Sequence, residues 1–191
     1  MIKRAGFSLI LQMMTGLPGD DDETALEPAR KIASLRPDGV RIYPAVIIRD
    51  TALYDMWKKG EYAEHTVEDA VRVCARILPV FKEAGIPVIR LGLNPTDELS
   101  GGSVAGGAYH PALGELVRSY MMLEEARKLL RNVPRGSSVV LGVHRSRVSA
   151  MVGQKRSNID TLTEEFGLKS LKVRAAEVNL DAVKLLSVAI D

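Results

Sequence analysis

Cysteine is nearly absent from this sequence of 191 residues, in which Cys74 is the single thiol. One cysteine excludes an intrachain disulfide, and it cannot hold an iron–sulfur cluster that needs three or four thiolates. The formal net charge is only +2, so bulk charge does not indicate a nucleic-acid partner. No apolar run reaches the length of about 18 residues that a membrane-spanning helix requires, which predicts a protein without one.

The first residues superficially resemble a signal peptide, with a basic start at residues 1–4 and an apolar run from Phe7 to Met14. Gln12 interrupts that run, and residues 16–20 make a poor cleavage site. We therefore interpret residues 7–14 as a parallel strand buried on both faces and predict a cytoplasmic location.

Strands and helices alternate in the first two thirds of the chain. The pattern predicts strands at 7–14, 40–48 with an interruption at Pro44, and 86–93. It predicts helices that begin near Thr24 with a Thr24–Glu27 capping box, at 51–59 and at 66–84. This β–α–β–α–β order favours a parallel α/β sheet.

The remaining sequence predicts a flexible connection at 100–107, a helix at 111–130 and a boundary at 134–136. A compact unit follows, with strand 138–143, helix 145–152, loop 153–156, helix 158–166 and strand 171–178. Residues 183–190 are either a strand, forming a hairpin with the preceding one, or a helix, and we favour the strand. The predicted domains are therefore 1–133 and 137–191.

Three segments carry a family resemblance. Residues 12–20 contain a Gly-Leu-Pro-Gly turn that resembles radical S-adenosylmethionine (SAM) enzymes, including oxygen-independent coproporphyrinogen III oxidase and the Elongator catalytic subunit. Residues 40–62 and 110–117 resemble the Elongator-type group more specifically. The resemblance covers roughly residues 5–130 and implies the second half of a partial (β/α) TIM-like barrel, followed by a small α+β unit.

In such enzymes an early loop supplies a Cys-x3-Cys-x2-Cys motif. That motif binds a [4Fe–4S] cluster, which reduces SAM to a 5′-deoxyadenosyl radical. Because this sequence has only Cys74, we expect a C-terminal fragment of a radical SAM oxidoreductase or transferase that is inactive alone and needs a missing N-terminal half of the barrel. The resemblance implies a tRNA or tetrapyrrole-type substrate. The edges of a half-barrel favour self-association into a homo-oligomer.

The same resemblance implies cofactor-binding positions. Gly16 lets backbone approach a ligand at a strand's carboxyl end. Gln12 matches a SAM-contacting position that is acidic in the coproporphyrinogen oxidases, and an amide can still hydrogen-bond the ligand. Tyr43, Pro44 and Ala45 match the strand that passes the adenine. The alternative is that Gln12 and Tyr43 are polar residues satisfied within the core. The sequence predicts no catalytic residue and no metal site.

Residues 148–162, with the strands around them, resemble a KH domain, which clamps nucleic-acid backbone with a Gly-x-x-Gly loop between two helices. Here Gly153, Gln154 and Lys155 fill the first three positions, and Arg156 replaces the second glycine. Arg145 and Arg147 could extend a basic edge. The resemblance implies RNA binding, including tRNA. The alternative is an appendage with a solvated basic loop, favoured by the lack of interleaved aromatic residues.

A second function class stays open. The chain could be a non-catalytic RNA-binding or regulatory protein built from a degenerate half-barrel. A reading frame for Cys-x3-Cys-x2-Cys directly upstream of Met1 would favour the enzyme, and a genuine start codon with its own ribosome site would favour the binding protein. Cys74 lies on the apolar face of its helix, where it is expected to be an inert core thiol.

Overall fold

A computed structural model describes residues 2–21, 24–96, 99 and 102–190 of the chain. These residues form two compact units, 1–114 and 115–191, which are described separately. Both mix α-helices and β-strands, so the predicted mixed α/β class is confirmed. No helix within the described ranges is both long and apolar enough to cross a membrane.

Within the described residues, the first unit contains a three-stranded parallel sheet, a two-stranded antiparallel pair and three α-helices, with a 3₁₀ turn at Lys3–Ala5. The sheet has the order β1-β2-β4, and β3 pairs with β5. The element bounds are β1 Ile10–Thr15, α1 Leu26–Ser34, β2 Gly39–Pro44, β3 Val46–Ile48, α2 Ala52–Lys58, α3 Val67–Glu83, β4 Val88–Leu91 and β5 Val104–Gly107. The interruption of the second predicted strand near Pro44 is thereby confirmed.

Helix α3 follows from its sequence. Thr66 accepts a hydrogen bond from the Asp69 N–H, and the Asp69 carboxylate accepts one from the Thr66 N–H, so a capping box starts the helix. Its apolar stripe is buried, and Ile77 and Phe81 are inaccessible to solvent. Helix α1 packs against α3 and β1.

The Thr24–Glu27 capping box predicted for α1 is wrong. The residue before the helix is Ala25, in helical conformation and without a side-chain cap. Thr24 instead exchanges hydrogen bonds with Asp21, because a short hydroxyl can close a local turn as readily as it caps a helix. Asp22 and Glu23, part of the acidic stretch, lie outside the described residues.

Strand β1 is not buried on both faces. Its residues alternate, with Met13 and Thr15 buried while Ile10 and Met14 are 41% and 47% exposed. The continuous apolar run predicted the strand correctly but the burial wrongly. The described residues of this unit cover only one face of the sheet, so alternate residues of β1 are accessible.

The flexible connection predicted at 100–107 contains β5, so that prediction is wrong for Val104–Gly107. Ser100 and Gly101 lie outside the described residues. Gly107 pairs with Val46, at a φ of +88°, and a Cβ there would lie 2.9 Å from the Ala45 carbonyl oxygen. Glycine therefore allows the close approach of two backbones that a substituted residue would prevent.

The second unit begins within α4, Leu113–Leu130, and continues as β6 Ser138–Val143, α5 Val148–Val152, α6 Ser157–Phe166, β7 Ser170–Ala175 and β8 Val183–Ala189. Single 3₁₀ turns at Arg145–Arg147 and Gln154–Arg156 precede α5 and α6. The core contains residues of α4, both short helices and the sheet. The unit limit therefore differs from the predicted 1–133 and 137–191, because Leu123, Ala126 and Leu130 of α4 belong to this core.

The sheet of the second unit has the order β7-β6-β8. Strand β6 pairs parallel with β7 and antiparallel with β8. The favoured interpretation of 183–190 as a strand is confirmed. The hairpin with the preceding strand is wrong, because β8 pairs with β6 instead.

Candidate functional site

The predicted ligand residues Gln12 and Tyr43 lie on the same exposed face of the sheet β1-β2-β4. Gln12 pairs with Arg41, and Met14 pairs with Tyr43, so these four side chains project from one side. Gln12 and Arg41 are exposed and Tyr43 is half-buried. We call this side the open face. Because Gln12 is exposed, the alternative that it is a satisfied core residue is wrong.

Pro44 and Ala45 occupy the carboxyl end of β2 and are buried. The Ala45 N–H donates to the Thr15 carbonyl over 2.8 Å, and the Ala45 carbonyl accepts from the Ala108 N–H over 3.0 Å. These bonds link the ends of β1 and β2 to the segment after β5. Contact of Pro44 and Ala45 with an adenine stays a prediction, and any such contact would be made by a rigid backbone.

Gly16, directly after β1, is held by two residues far away in sequence. The Tyr62 hydroxyl donates to the Gly16 carbonyl over 2.6 Å, and His65 Nε2 lies 3.4 Å from Thr15 Oγ1. Gly16 has a φ of +74°, and a Cβ there would lie 2.1 Å from the His65 ring. The glycine is therefore required both by its backbone conformation and by the packing of His65.

Sequence reasoning did not select Tyr62, Glu64 or His65 as site residues. Tyr62 ends the segment that carries the family resemblance, and His65 directly precedes the Thr66 cap, so both had an indirect signal. Glu64 accepts a hydrogen bond from the Gly107 N–H over 2.7 Å, which ties the same segment to β5. Residues 61–65 thus connect the turn after β1 with the pair β3-β5.

A polar depression of about 230 Å³ lies between this segment and the turn at 16–20. Burial raises the pKa of Tyr62, with nearby Asp20 and Glu64 adding to the effect, so the phenol stays a donor at neutral pH. Asp20 accepts from the Leu17 N–H over 3.0 Å and closes the turn. Across the ranges that the structure describes, no group of histidine, cysteine and carboxylate side chains could hold a metal ion.

The predicted RNA-binding loop forms a sharp reversal between α5 and α6. Gly153 has φ +79° and ψ 164°, and Lys155 and Arg156 have φ values of 50° and 68°. Gln154, Lys155 and Arg156 are exposed. Two consecutive non-glycine residues in the left-handed region are strained, and such strain is often retained at functional positions.

The rest of the predicted basic edge is only partly present. Arg145 is exposed, but the Arg147 side chain is only 17% exposed, with Nη2 lying 3.8 Å from Asp181 Oδ1. Behind the loop, the Asn158 amide donates to the Ser119 carbonyl and Oγ over 3.1 and 2.9 Å, and to the Ala150 carbonyl over 3.3 Å. The hydrogen bonds of the buried Asn158 therefore fix the start of α6, directly behind the loop, to α4 and α5.

Comparison with known proteins confirms the family resemblance. Residues 37–122 match the radical SAM C-terminal domain family. Human Elongator complex protein 3 is 37% identical over 81 residues, covering 41% of this chain and 15% of that protein. The tRNA uridine(34) acetyltransferase of Methanocaldococcus jannaschii is 29% identical over 124 residues, covering 63% of this chain and 22% of that protein.

A solved structure of an archaeal Elp3 shows the same family similarity. Methanocaldococcus infernus Elp3 with an N-terminal deletion superposes with a TM-score of 0.53 at 27% identity, over 71% of this chain and 32% of that chain. The matching region of this chain is therefore similar to the radical SAM C-terminal domain class. More particularly, the chain is homologous to Elongator complex protein 3 and the archaeal tRNA uridine acetyltransferases. It spans only 15% to 22% of the lengths of these curated relatives.

Proposed function

We propose that this chain provides the SAM- and substrate-facing C-terminal strands of a radical SAM enzyme related to Elp3. The observation that carries the proposal is the open face, on which Gln12, Arg41 and Tyr43 project side by side from parallel strands. Helices α1 and α3 pack together on the unit, with α1 also against β1. A half-barrel needs this arrangement, with helices outside and polar side chains inside at the carboxyl ends of the strands.

The residues of the open face fit SAM. The Gln12 amide offers two donors and an acceptor, and the half-buried Tyr43 offers a ring face and a hydroxyl with no hydrogen bond to any described residue. The backbone of Gly16, held by Tyr62 and His65, would border the ligand. When bound beside a reduced cluster, SAM supplies a 5′-deoxyadenosyl radical. This chain would bind and orient it.

The residues do not fit a [4Fe–4S] cluster. Cys74 is the single cysteine, it is inaccessible on α3, and burial raises the pKa of its thiol to about 12. A neutral, buried thiol is neither a thiolate ligand nor one of the three that a cluster needs. We propose that a cysteine-bearing segment of the full-length parent holds the cluster, and that the present chain alone is inactive.

The proposed substrate is tRNA. A relative's name specifies a tRNA uridine, and that relative aligns with 63% of this chain. A tetrapyrrole-type substrate is the second choice, because the Gly-Leu-Pro-Gly turn is shared with coproporphyrinogen oxidases. The tRNA proposal places the protein in the cytoplasm, and association into a homo-oligomer stays a prediction.

Titration of the ¹⁵N-labelled chain with SAM tests the proposal. We expect amide chemical-shift changes concentrated at Gln12, Gly16, Tyr43 and Ala45. The Kd for SAM should be in the millimolar range, which is a binding free energy on the order of −4 kcal/mol, because the contribution of the cluster is missing. Gln12→Ala should weaken binding about fivefold or more through the loss of a hydrogen bond. Arg76→Gln on the exposed side of α3 is the control and should leave the Kd unchanged.

Adding a cysteine-bearing upstream segment with a reconstituted cluster should tighten SAM binding at least tenfold. Shifts at other residues, or no shifts with or without that segment, would contradict the proposal. That outcome would leave the open face as scaffold and favour the non-catalytic RNA-binding function.

We further propose that residues 153–156 bind RNA in the manner of a KH loop. The supporting observation is the pair Lys155 and Arg156, both exposed and both held in the left-handed conformation between two helices. A strained basic tip presents two cations and the backbone of a tight reversal to a phosphate chain. The strands around it follow the β–α–α–β order that the KH resemblance implies, although β6 and β7 lie side by side and parallel.

We expect Arg156→Gly to weaken RNA binding while it stabilises the second unit. Glycine relieves left-handed strain of about 1 to 2 kcal/mol and costs about 0.5 to 1 kcal/mol in chain entropy, so the net gain in stability is about 0 to 1.5 kcal/mol, with a midpoint of about 0.8 kcal/mol. Loss of one phosphate contact should reduce affinity for single-stranded RNA about threefold to tenfold at low salt. Fluorescence anisotropy and hydrogen exchange of β6 amides measure the two effects.

Gly153→Asp is a poor test of the same loop, because a Cβ at Gly153 would lie 2.5 Å from Ser157 Oγ and 2.9 Å from the Asn158 nitrogen. That variant would disturb the base of the loop. Lys172→Gln, an exposed change of charge on β7, is the matched control for Arg156→Gly. Equal loss of RNA binding in both variants would show a nonspecific charge effect and contradict the loop proposal.

A further inference from the structure

We propose that Arg41 and Arg90 form an oxyanion-binding pair on the open face. The two arginines are paired residues on the adjacent strands β2 and β4. Parallel neighbours in register project to the same side and lie on strands about 4.8 Å apart. The inference rests on the proposed function for the identity of the ligand, since the pair lies beside Gln12 and Tyr43.

A β-bulge places Arg90 on this face. Val40 pairs with Val88 but Arg41 pairs with Arg90, so Ile89 is an extra residue in β4. In a regular register Ile89 would pair with Arg41, and Arg90 would pair with the buried Ile42 and point to the covered side. Bulges are rare in parallel sheets, and they occur next to active sites, where they redirect a side chain.

The pair has no counter-charge on the strands that carry it. None of the described positions in β1, β2 or β4 is Asp or Glu. Asp38, just before β2, is engaged by Lys3 at 3.0 Å and by the Leu9 N–H at 2.7 Å. Like charges side by side on neighbouring strands are destabilising, so an anion bound between the two guanidinium groups would be stabilising.

The hydrogen bonds of the two guanidinium groups leave donors available. Arg41 is exposed and forms no hydrogen bond or ion pair with any residue in the described ranges. Arg90 donates to the neutral Asn94 side chain, which fixes the guanidinium without neutralising it. Each guanidinium offers five N–H donors in a planar fork that matches carboxylate or phosphate oxygens. The chemistry selects an oxyanion rather than a cationic or purely apolar ligand.

Two sources of that oxyanion are distinguishable, the carboxylate of SAM and the phosphate of a nucleotide substrate. The full chain, labelled at the arginine Nε positions, is titrated separately with UMP, uridine, SAM and 5′-methylthioadenosine, which lacks the amino acid part of SAM. We expect Arg41 and Arg90 signals to shift with UMP or SAM, and the matching uncharged compound to bind at least fivefold more weakly. Selectivity for UMP identifies phosphate, and selectivity for SAM identifies carboxylate.

Variants Arg41→Gln and Arg90→Gln should each reduce that selectivity to less than twofold, while Arg76→Gln preserves it. Equal binding of charged and uncharged probes, or equal loss in all three variants, overturns the inference. If 5′-methylthioadenosine shifts Gln12 and Tyr43 while no anion shifts the arginines, the proposed function stands and the inference fails. If UMP shifts the arginines but no adenosyl compound binds, the inference stands and the proposed SAM site fails.

Discussion

Replacing Gly16 with alanine should destabilise the first unit by about 2 to 5 kcal/mol. A residue with a Cβ at φ +74° costs about 1 to 2 kcal/mol, and the new methyl would lie 2.1 Å from the His65 ring. Displacing a packed side chain adds about 1 to 3 kcal/mol. Trp57, the single tryptophan, lies on α2 of this unit, so its fluorescence in urea measures the loss.

Gly19→Ala is a matched control within the same turn. Gly19 has a φ of +86°, but nothing lies within 4 Å of a Cβ placed there, so only the conformational cost of about 1 to 2 kcal/mol applies. Tyr62→Phe removes the hydrogen bond to the Gly16 carbonyl and should cost about 1 kcal/mol. If Gly16→Ala is no more destabilising than Gly19→Ala, His65 does not fix this turn.

The turn also shows how much of the site the sequence could predict. Gly16 was recognisable because the Gly-Leu-Pro-Gly pattern is local and requires a positive φ. Its partners Tyr62 and His65 were not, since Tyr62 lies 46 residues from Gly16 and His65 lies 50 residues from Thr15, and their contacts depend on the sheet and α3 being formed. Gln12 and Tyr43 could be placed on one face only once the register of β1 and β2 was known.

The fold shows the same division between local and non-local information. The start of α3 at Thr66 and the strand at 138–143 were predicted correctly, because capping and apolar runs bounded by polar residues are local signals. Other features depend on which distant strands pair and in which register, so local sequence does not determine them. These features are the pairing of β8 with β6, the antiparallel pairing of β3 with β5 and the bulge at Ile89. The glycine-rich segment that includes Gly106 and Gly107 was predicted to be flexible. In the structure these two glycines instead allow β5 to pair closely with β3, and Gly107 has a φ of +88°.

The isosteric change Asn158→Asp should destabilise the second unit by about 3 to 5 kcal/mol at pH 7. The Asn158 amide nitrogen donates to three oxygens, two of Ser119 and one of Ala150, and the side chain is 5% exposed. A carboxylate there would present only acceptors to these oxygens and would be a buried charge without a partner. Hydrogen exchange of the β6 amides measures the effect within this unit.

The penalty should depend on pH. Burial among oxygen acceptors raises the folded-state pKa of an aspartate above its unfolded value of about 3.9. Below the unfolded pKa both states are protonated and the acid can donate one hydrogen bond, so the variant should approach Asn158→Leu, the apolar control. As the pH rises through the folded pKa, the unfolded state releases its proton more readily and stability is lost. A difference between the two variants that is constant from pH 4 to 8 would mean that the Asn158 side chain meets solvent. The loop 153–156 would then lack the rigid base on which its proposed contact with RNA depends.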